Sequence, residues 1–183
     1  MTANNDLDSV RSNLHGKFTA EIARGLKYDG FDVYYDHDVS SENVGKIVSA
    51  TSEEFGRSDE LSQLDIAIVE KESRNAAVLV EIEETNDRPK NLLGDIFGVL
   101  LGNHVSFKGR KLNVGSFTTL ILAGVSKTDH STRNDYIQEK TQNISISTAN
   151  AEIGNILIKS YKNGDELVAQ LPSLLDKIVR GEP

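Results

Sequence analysis

The sequence predicts an α/β fold in which a mixed central sheet is flanked by helices. Three observations predict it: a β-hairpin signal near the middle of the chain, stretches of helical periodicity before and after it, and a strongly apolar run at 117–125. The 183 residues suffice for one domain with a single sizeable core. We therefore expect residues 1–183 to form one domain, with 1–7 as a flexible tail.

The predicted elements run in the order α-β-β-β-α-β-α-β-α along the chain. A helix is expected where apolar residues recur three or four positions apart, and a strand where a short apolar run lies between turn residues. The expected ranges are helix 8–28, strand 31–35, hairpin strands 64–69 and 76–82, helix 87–101, strand 117–125, helix 129–142, strand 153–158 and helix 165–180. Residues 38–60 and 104–113 lack a clear period, which predicts a connection or strand extension in the first segment and a basic loop in the second.

Glycine, proline and helix-capping residues set several of these boundaries. Asp29-Gly30 ends the first helix, because glycine readily adopts the left-handed conformation that follows a helix. Asp87 is the expected N-cap of the second helix, with Pro89 in its first turn. Pro172 falls inside the last helix, and it either kinks that helix or splits it in two.

Composition narrows the class of protein. The chain has no cysteine, which excludes disulfides, thiolate zinc sites and cysteine nucleophiles. No apolar run reaches the roughly 18 residues of a membrane span, and the N-terminus lacks the basic and apolar regions of a secretory signal. A soluble cytoplasmic protein without a membrane partner is expected. The formal net charge of −8 argues against a nucleic-acid partner, although binding depends on local basic patches rather than on net charge.

Three acids mark the ends of the predicted hairpin. Asp65 opens its first strand, and Glu81 and Glu83 lie near the end of the second. Because side chains alternate along a strand, Glu81 and Glu83 project to one face, opposite Val80 and Ile82. Simple pairing brings the three carboxylates together, where they repel one another unless a divalent cation such as Mg²⁺ or Mn²⁺ binds among them. Hydrolysis of phosphate esters is the chemistry that uses such a site.

The element order and these acids together resemble the PD-(D/E)XK nuclease superfamily, whose restriction-endonuclease-like core has the order α-β-β-β-α-β. The resemblance covers residues 7–125, with Asp65 and Glu81 lying 16 residues apart. Leu64 stands where the superfamily often has proline. Glu83 stands where it usually has lysine, and this Glu-x-Glu version is similar to a subgroup of type II restriction endonucleases.

The resemblance implies roles for particular residues. Asp65 and Glu81 would bind the metal, and Glu83 would complete the site and position the attacking water. Lys90 is an alternative source of the missing positive charge. Glu21, on the first helix, falls within the apolar arc and is expected to point toward the core, where a carboxylate is costly unless paired or bound to a metal. The alternative is a Glu21 side chain that extends outward into solvent.

Other assignments remain open at this level. The resemblance to the nuclease superfamily, whose members often carry a glutamate on the first helix, implies that Glu21 would bind a second ion or orient the metal ligands. Residues 16–33 also look like the opening of archaeal Holliday-junction resolvases. An alternative register makes Glu83 the first acid and Thr85 its partner. Asp95 is either a supporting acid or a surface residue. The four histidines show no metal-ligand spacing and are expected at the surface: His15, His37, His104 and His130.

The implied function is a Mg²⁺- or Mn²⁺-dependent DNA endonuclease of restriction, repair or junction-resolving type. A homodimer is expected if both strands of a duplex are cut, since two symmetric sites are then needed. Five basic residues are candidate DNA contacts: Arg88, Lys90, Lys108, Arg110 and Lys111. One alternative is a catalytically inactive nuclease-fold protein that acts as a nucleic-acid-binding or accessory module. Another is an unrelated α/β module whose acids form a solvated strand face.

Overall fold

The structure, a computed structural model, describes residues 16–37, 42–50, 60–84, 88–102, 104–148 and 153–182. The expected tail at 1–7 and the expected cap Asp87 lie outside these ranges. The elements are α1 (Lys17–Gly25), β1 (Phe31–Tyr35), β2 (Ile47–Ala50), β3 (Glu60–Leu64), β4 (Ile66–Glu70), β5 (Ala76–Glu83), α2 (Pro89–Leu101), β6 (His104–Phe107), β7 (Arg110–Leu112), β8 (Thr119–Val125), α3 (Ser131–Thr148), β9 (Asn155–Tyr161) and α4 (Gly164–Val179).

A mixed five-stranded sheet in the order β1-β4-β5-β8-β9 forms the centre of the fold. β4 is antiparallel to both β1 and β5, whereas β5, β8 and β9 are mutually parallel neighbours. The predicted hairpin is confirmed as β4 and β5, with Ile66 opposite Val80. β1, β5, β8 and β9 consequently point the same way and end at one edge of the sheet.

A second, antiparallel sheet in the order β3-β2-β6-β7 was not predicted. The expectations of a connection at 38–60 and a loop at 104–113 are wrong over these strands. The strands are three to five residues long, which is too short for an alternation of apolar and polar residues to stand out. All four residues of β6 are buried, so this strand shows no alternation at all. Lys108 and Gly109 join β6 to β7 with φ of 48° and 72°, the left-handed geometry of a two-residue hairpin turn.

Two hydrophobic cores lie on opposite faces of the five-stranded sheet. On one face α1 and α4 pack against Ile66, Ile68 and alternate residues of β5. On the other face α2, α3 and the second sheet cover Ala67, Leu79 and their neighbours. The strands are therefore buried on both sides, as their nearly continuous apolar sequences indicate.

The helices follow the predictions with changes at their ends. Pro89 occupies the first turn of α2, and Arg88 is the residue at its N-cap. The alternative of a split last helix is wrong, because α4 is continuous through Pro172. Leu167, Leu171 and Leu175 are fully buried against the sheet, and this packing offsets the roughly 3 kcal/mol cost of an internal proline. No helix in the described ranges is long and apolar enough to cross a membrane.

Gly98 allows α2 to approach β3 closely, which gives a prediction for stability. A Cβ at this position would lie 2.5 Å from Ser62 Cβ, so one of the two elements must shift. Gly98→Ala should lower the free energy of unfolding by about 1–3 kcal/mol, measured by urea denaturation. Gly94→Ala on the same helix is the control, since its Cβ meets nothing within 4 Å and should add about 1 kcal/mol through helix propensity. Equal stability of the two variants would contradict close packing at Gly98.

Candidate active site

Asp65 lies at a bend between β3 and β4, beside the end of β5. Its N–H donates to the Val80 carbonyl (2.9 Å), and its Oδ2 accepts a hydrogen bond from the Ile82 N–H (2.7 Å). These two bonds hold the residue directly beside Glu81, which lies between Val80 and Ile82. Asp65 is only 7% exposed, so the alternative of a solvated strand face is wrong for this acid.

Glu81 and Glu83 project from β5 toward α2, as their alternation predicts. Their neighbours Val80 and Ile82 belong to the core on the opposite face. The Glu83 Oε2 accepts a hydrogen bond from Asn91 Nδ2 at the start of α2 (2.8 Å). Thr85, the partner in the alternative register, lies outside the described residues.

Two further carboxylates join these three: Asp95, for which the sequence predicts either a supporting acid or a surface residue, and Asp36, which it does not assign to the site. Asp36 follows β1 directly, and its N–H donates to the Asp65 carbonyl (3.0 Å). Asp95 faces the same site from α2, and its charge, like that of Asp36, acts on Glu81. The signal for Asp36 was its position after a strand parallel to β5, because such strands end at one edge. We call the five residues Asp36, Asp65, Glu81, Glu83 and Asp95 the acidic cluster.

Burial and mutual repulsion perturb the acidic cluster strongly. Burial is the largest cause that raises the pKa of Glu81 to about 10, and the charges of Asp65, Asp95, Glu83 and Asp36 raise it further. Burial also raises the pKa of Asp95 to about 6, with Glu83 and Asp65 contributing. Perturbed carboxyls in one place are typical of functional sites, although structural networks also produce them. Without a cation, the cluster favours a protonated Glu81 at neutral pH.

His37 stands beside the acidic cluster rather than at an unrelated surface position. Its Nε2 lies 3.8 Å from Asp36 Oδ2 and 3.9 Å from Asp65 Oδ1. Its backbone has a φ of 69°, an uncommon conformation for a residue other than glycine. Gly16 packs against it so closely that a Cβ there would lie 2.2 Å from His37 Cβ, and Gly16 N–H also donates to Glu84 Oε1 (3.0 Å). These contacts join the start of α1 to the site.

The other predicted site residues lie outside the acidic cluster. Glu21 is on α1 as predicted, but its side chain is exposed, so the expectation that it points toward the core is wrong. Its neighbours Ala20, Ile22 and Ala23 are buried instead, which places Glu21 on the polar side of α1. Among the basic candidates, Arg88 and Lys90 are exposed at the start of α2. Lys111 is exposed on β7, whereas Lys108 and Arg110 line a cleft beside β1.

The donor chemistry of the acidic cluster fits a hard divalent cation. Its five members offer only carboxylate oxygens, the ligands that Mg²⁺ prefers, and a cation would relieve their repulsion. Across the described ranges, however, no group of three or more histidine, aspartate or glutamate side chains is arranged to hold a metal ion. The Asp65 and Glu83 carboxylates instead bond to Ile82 and Asn91. The site is thus chemically suited to a metal without enclosing one.

Comparison with known protein families, with curated proteins and with solved structures finds no match to this chain. The chemistry of the acidic cluster and the order of the strands are accordingly the basis for assigning a function.

Proposed function

We propose that this protein is a metal-dependent DNA endonuclease that hydrolyses phosphodiester bonds. The observation that carries the proposal is the juxtaposition of buried Asp65, at the bend before β4, with half-buried Glu81 on β5, with Glu83 on the same face. Burying several carboxylates side by side is costly unless a cation compensates them. Retaining such a cluster at the ends of strands fits a catalytic use better than a structural one.

The arrangement of elements supports the same proposal. α1, β1, β4, β5, α2 and β8 follow the order α-β-β-β-α-β, and the four strands are neighbours in the order β1-β4-β5-β8. This is the order of the restriction-endonuclease-like core. In that interpretation β2 and β3 are an insertion within the three-stranded meander, and β6 and β7 are an insertion before the fourth strand.

Each acid has a role in the proposed reaction. Asp65 and Glu81 would hold the metal, and Glu83 would complete the site and position the attacking water. A bound Mg²⁺ or Mn²⁺ supplies a lowered pKa for its water and stabilises the charge that develops on the phosphate. Asp36 and Asp95 add negative charge around Glu81 and thereby favour cation binding. Because Glu21 is exposed, it has no role in this proposal.

The proposed substrate approaches from the face that carries the acids. Arg88 and Lys90, exposed beside the Asn91–Glu83 contact, are suited to phosphates near the acidic cluster. A homodimer would present two such sites to the two strands of a duplex.

The test is cleavage of plasmid and branched DNA by the purified wild-type protein in Mg²⁺ or Mn²⁺. We expect products that require the metal and disappear when EDTA is added, and the product pattern would identify the preferred DNA structure. Cleavage that persists in EDTA would contradict a metal-dependent mechanism. No cleavage of any substrate would favour the second candidate below.

The second candidate is a nuclease-fold protein without activity that binds nucleic acid or assists a partner. Two observations favour it: Glu83 stands in place of the usual lysine, and the described side chains do not enclose a metal. Such a protein would keep the fold and bind DNA without hydrolysing it. It would also gain no stability from Mg²⁺ or Mn²⁺.

A further inference from the structure

A cleft of about 480 Å³ opens between the two sheets, separate from the acidic cluster. β1 contributes Asp32 and Tyr34 to one wall, and β6 and β7 contribute Phe107 and Arg110 to the other. Its volume lies within the range of small-molecule sites in proteins. The cleft is therefore large enough to enclose one small polar ligand.

An aromatic pair lines the cleft. The rings of Tyr34 and Phe107 are stacked, with centroids 4.3 Å apart and planes inclined by 14°. Lys108 Nζ lies 5.3 Å from the centroid of the Phe107 ring. Phe107 is only 5% exposed and Tyr34 is half-buried, so Tyr34 is the ring of the pair that a ligand can contact. An accessible ring with cations nearby favours a ligand that combines a planar group with negative charge.

Four basic and three acidic side chains surround these rings. Lys71 is 3.8 Å from Asp32 Oδ1, and Lys108 Nζ donates to the Glu42 carbonyl (2.8 Å). Arg74 and Arg110, by contrast, form no salt bridge with any residue in the described part of the chain. Two guanidinium groups in one cleft form a suitable site for a phosphate, which they can bind through paired hydrogen bonds.

Two hairpin turns place basic side chains in the cleft, and hydrogen bonds fix the position of the first turn. Arg74, in the turn between β4 and β5, and Lys108, in the turn between β6 and β7, have φ of 58° and 48°. The Asn113 N–H donates to the Arg74 carbonyl (2.9 Å), and Asn113 Nδ2 donates to the Ser73 carbonyl (2.8 Å). These bonds hold the end of β7 against the β4–β5 turn, so Arg74 is fixed relative to the wall that β6 and β7 form.

We propose that this cleft binds one nucleotide unit, with Arg74 and Arg110 on its phosphate and the Tyr34–Phe107 pair beside its base. The three carboxylates then serve as acceptors for N–H groups of the base. An inorganic anion alone would leave the aromatic surface unused and would face the three acids without compensation. A nucleotide uses all three kinds of lining group.

The position of the cleft identifies the source of the nucleotide. Asp32 and Tyr34 lie on the same face of β1, and Asp36, a member of the acidic cluster, follows this strand directly. Tyr34 and Asp36 are two residues apart, about 7 Å along an extended strand. This inference rests on the proposed nuclease function for one point only, that the nucleotide belongs to the DNA strand being cut. A base of a paired duplex is stacked and cannot enter such a cleft, so the preferred substrate has unpaired nucleotides.

Binding of a fluorescein-labelled oligothymidylate to the full-length protein tests the proposal, with fluorescence anisotropy measured in EDTA so that no cleavage occurs. Arg110→Gln and Arg74→Asn should each weaken binding about tenfold through loss of a charged hydrogen bond to phosphate. Asparagine retains the left-handed turn at position 74. Lys159→Gln is the matched control, because it removes the same charge from an exposed position on β9, at the opposite edge of the central sheet from β1, and should change the affinity less than twofold.

Each outcome tests nucleotide binding by the cleft independently of nuclease activity. Tighter binding of the oligomer than of the same sequence as a duplex, with the expected order of variants, would support the proposal. Equal losses for Arg110→Gln and Lys159→Gln would overturn it, as would complete competition by inorganic phosphate at the concentration at which thymidine monophosphate competes. If thymidine monophosphate binds as tightly as the oligomer, the cleft remains a nucleotide site, but its assignment to the cleaved strand is overturned. Because no metal is present, absence of cleavage would leave these results unchanged.

Discussion

Asp65→Asn and Glu81→Gln are each expected to lower metal-dependent DNA cleavage at least about a thousandfold, equivalent to about 4 kcal/mol of transition-state stabilisation. Each variant replaces a carboxylate that we propose binds the metal with a neutral amide of nearly the same shape. Asparagine at position 65 can still accept the hydrogen bond from the Ile82 N–H, which Asp65 accepts at 2.7 Å. Alanine would leave that buried N–H unpaired, at a cost of about 1–3 kcal/mol in stability. The amide variants therefore separate loss of chemistry from loss of fold.

The measurement is the initial rate of cleavage under conditions in which the wild type is folded, with thermal unfolding recorded for every variant. Glu139→Gln makes the same chemical change at an exposed position on α3 and should keep the rate within about twofold, since surface substitutions seldom have larger effects. If Glu81→Gln cleaves as fast as the wild type, Glu81 is not a metal ligand. Contaminating nuclease would show as equal rates in all the preparations.

Glu81→Gln is also expected to make the metal-free protein more stable at neutral and alkaline pH. Folding raises the pKa of Glu81 from 4.5 to about 10, because the side chain is buried and four acids surround it. A group whose pKa is raised in the folded state favours folding at low pH and loses that contribution as the pH rises through this window. Each pH unit above 4.5 lowers the free energy of unfolding of the wild type by about 1.4 kcal/mol. The variant has no carboxyl at this position, so it should be more stable than the wild type by up to about 3 kcal/mol at pH 7.

Urea denaturation between about pH 4 and pH 8 in EDTA checks this result. The difference between Glu81→Gln and wild type should be small at the acidic end and should increase with pH, whereas Glu139→Gln should follow the wild-type curve. Adding Mg²⁺ or Mn²⁺ should remove much of the difference, because at about 100 times its Kd a cation stabilises the wild type by about 2.7 kcal/mol and the variant by less. A pH-independent difference would contradict a buried, protonated Glu81. Absence of any metal effect on the wild type would favour the inactive nuclease-fold protein.

Much of the central sheet could be predicted from local patterns. The hairpin of β4 and β5 has apolar strands with a polar turn between them, and both its existence and the common face of Glu81 and Glu83 are confirmed. The second sheet could not be predicted in the same way. β2, β6 and β7 are short, and residues distant in sequence bury them, for example where Ile47 pairs with both Leu64 and Phe107. Only the assembled fold provides those partners.

The site was predicted only in part, because local patterns reveal only residues that are close together in the sequence. Asp65, Glu81 and Glu83 belong to one hairpin, so the alternation of its strands is enough to bring them together. Asp36 and Asp95 come from a different strand and a helix, and no local pattern shows that they face Glu81. Glu21 was misplaced because its predicted helix gave it a position near the apolar arc, whereas α1 buries Ala20, Ile22 and Ala23 and leaves Glu21 exposed.

The sequence by itself determined that this chain forms an α/β protein with a hairpin that carries three acids, because hydrophobic periodicity and turn residues act over a few neighbouring positions. Tertiary structure alone decided how many carboxylates share the site and how far their pKa values move, since both depend on burial and on charges from separate elements. It also decided where the cleft lies. The basic residues of the cleft come from two hairpins that are about 35 residues apart in the chain, with Lys71 and Arg74 in the first and Lys108 and Arg110 in the second. These residues meet only because the second sheet folds back over β1. This arrangement places the hydrophobic face of the second sheet against the central sheet.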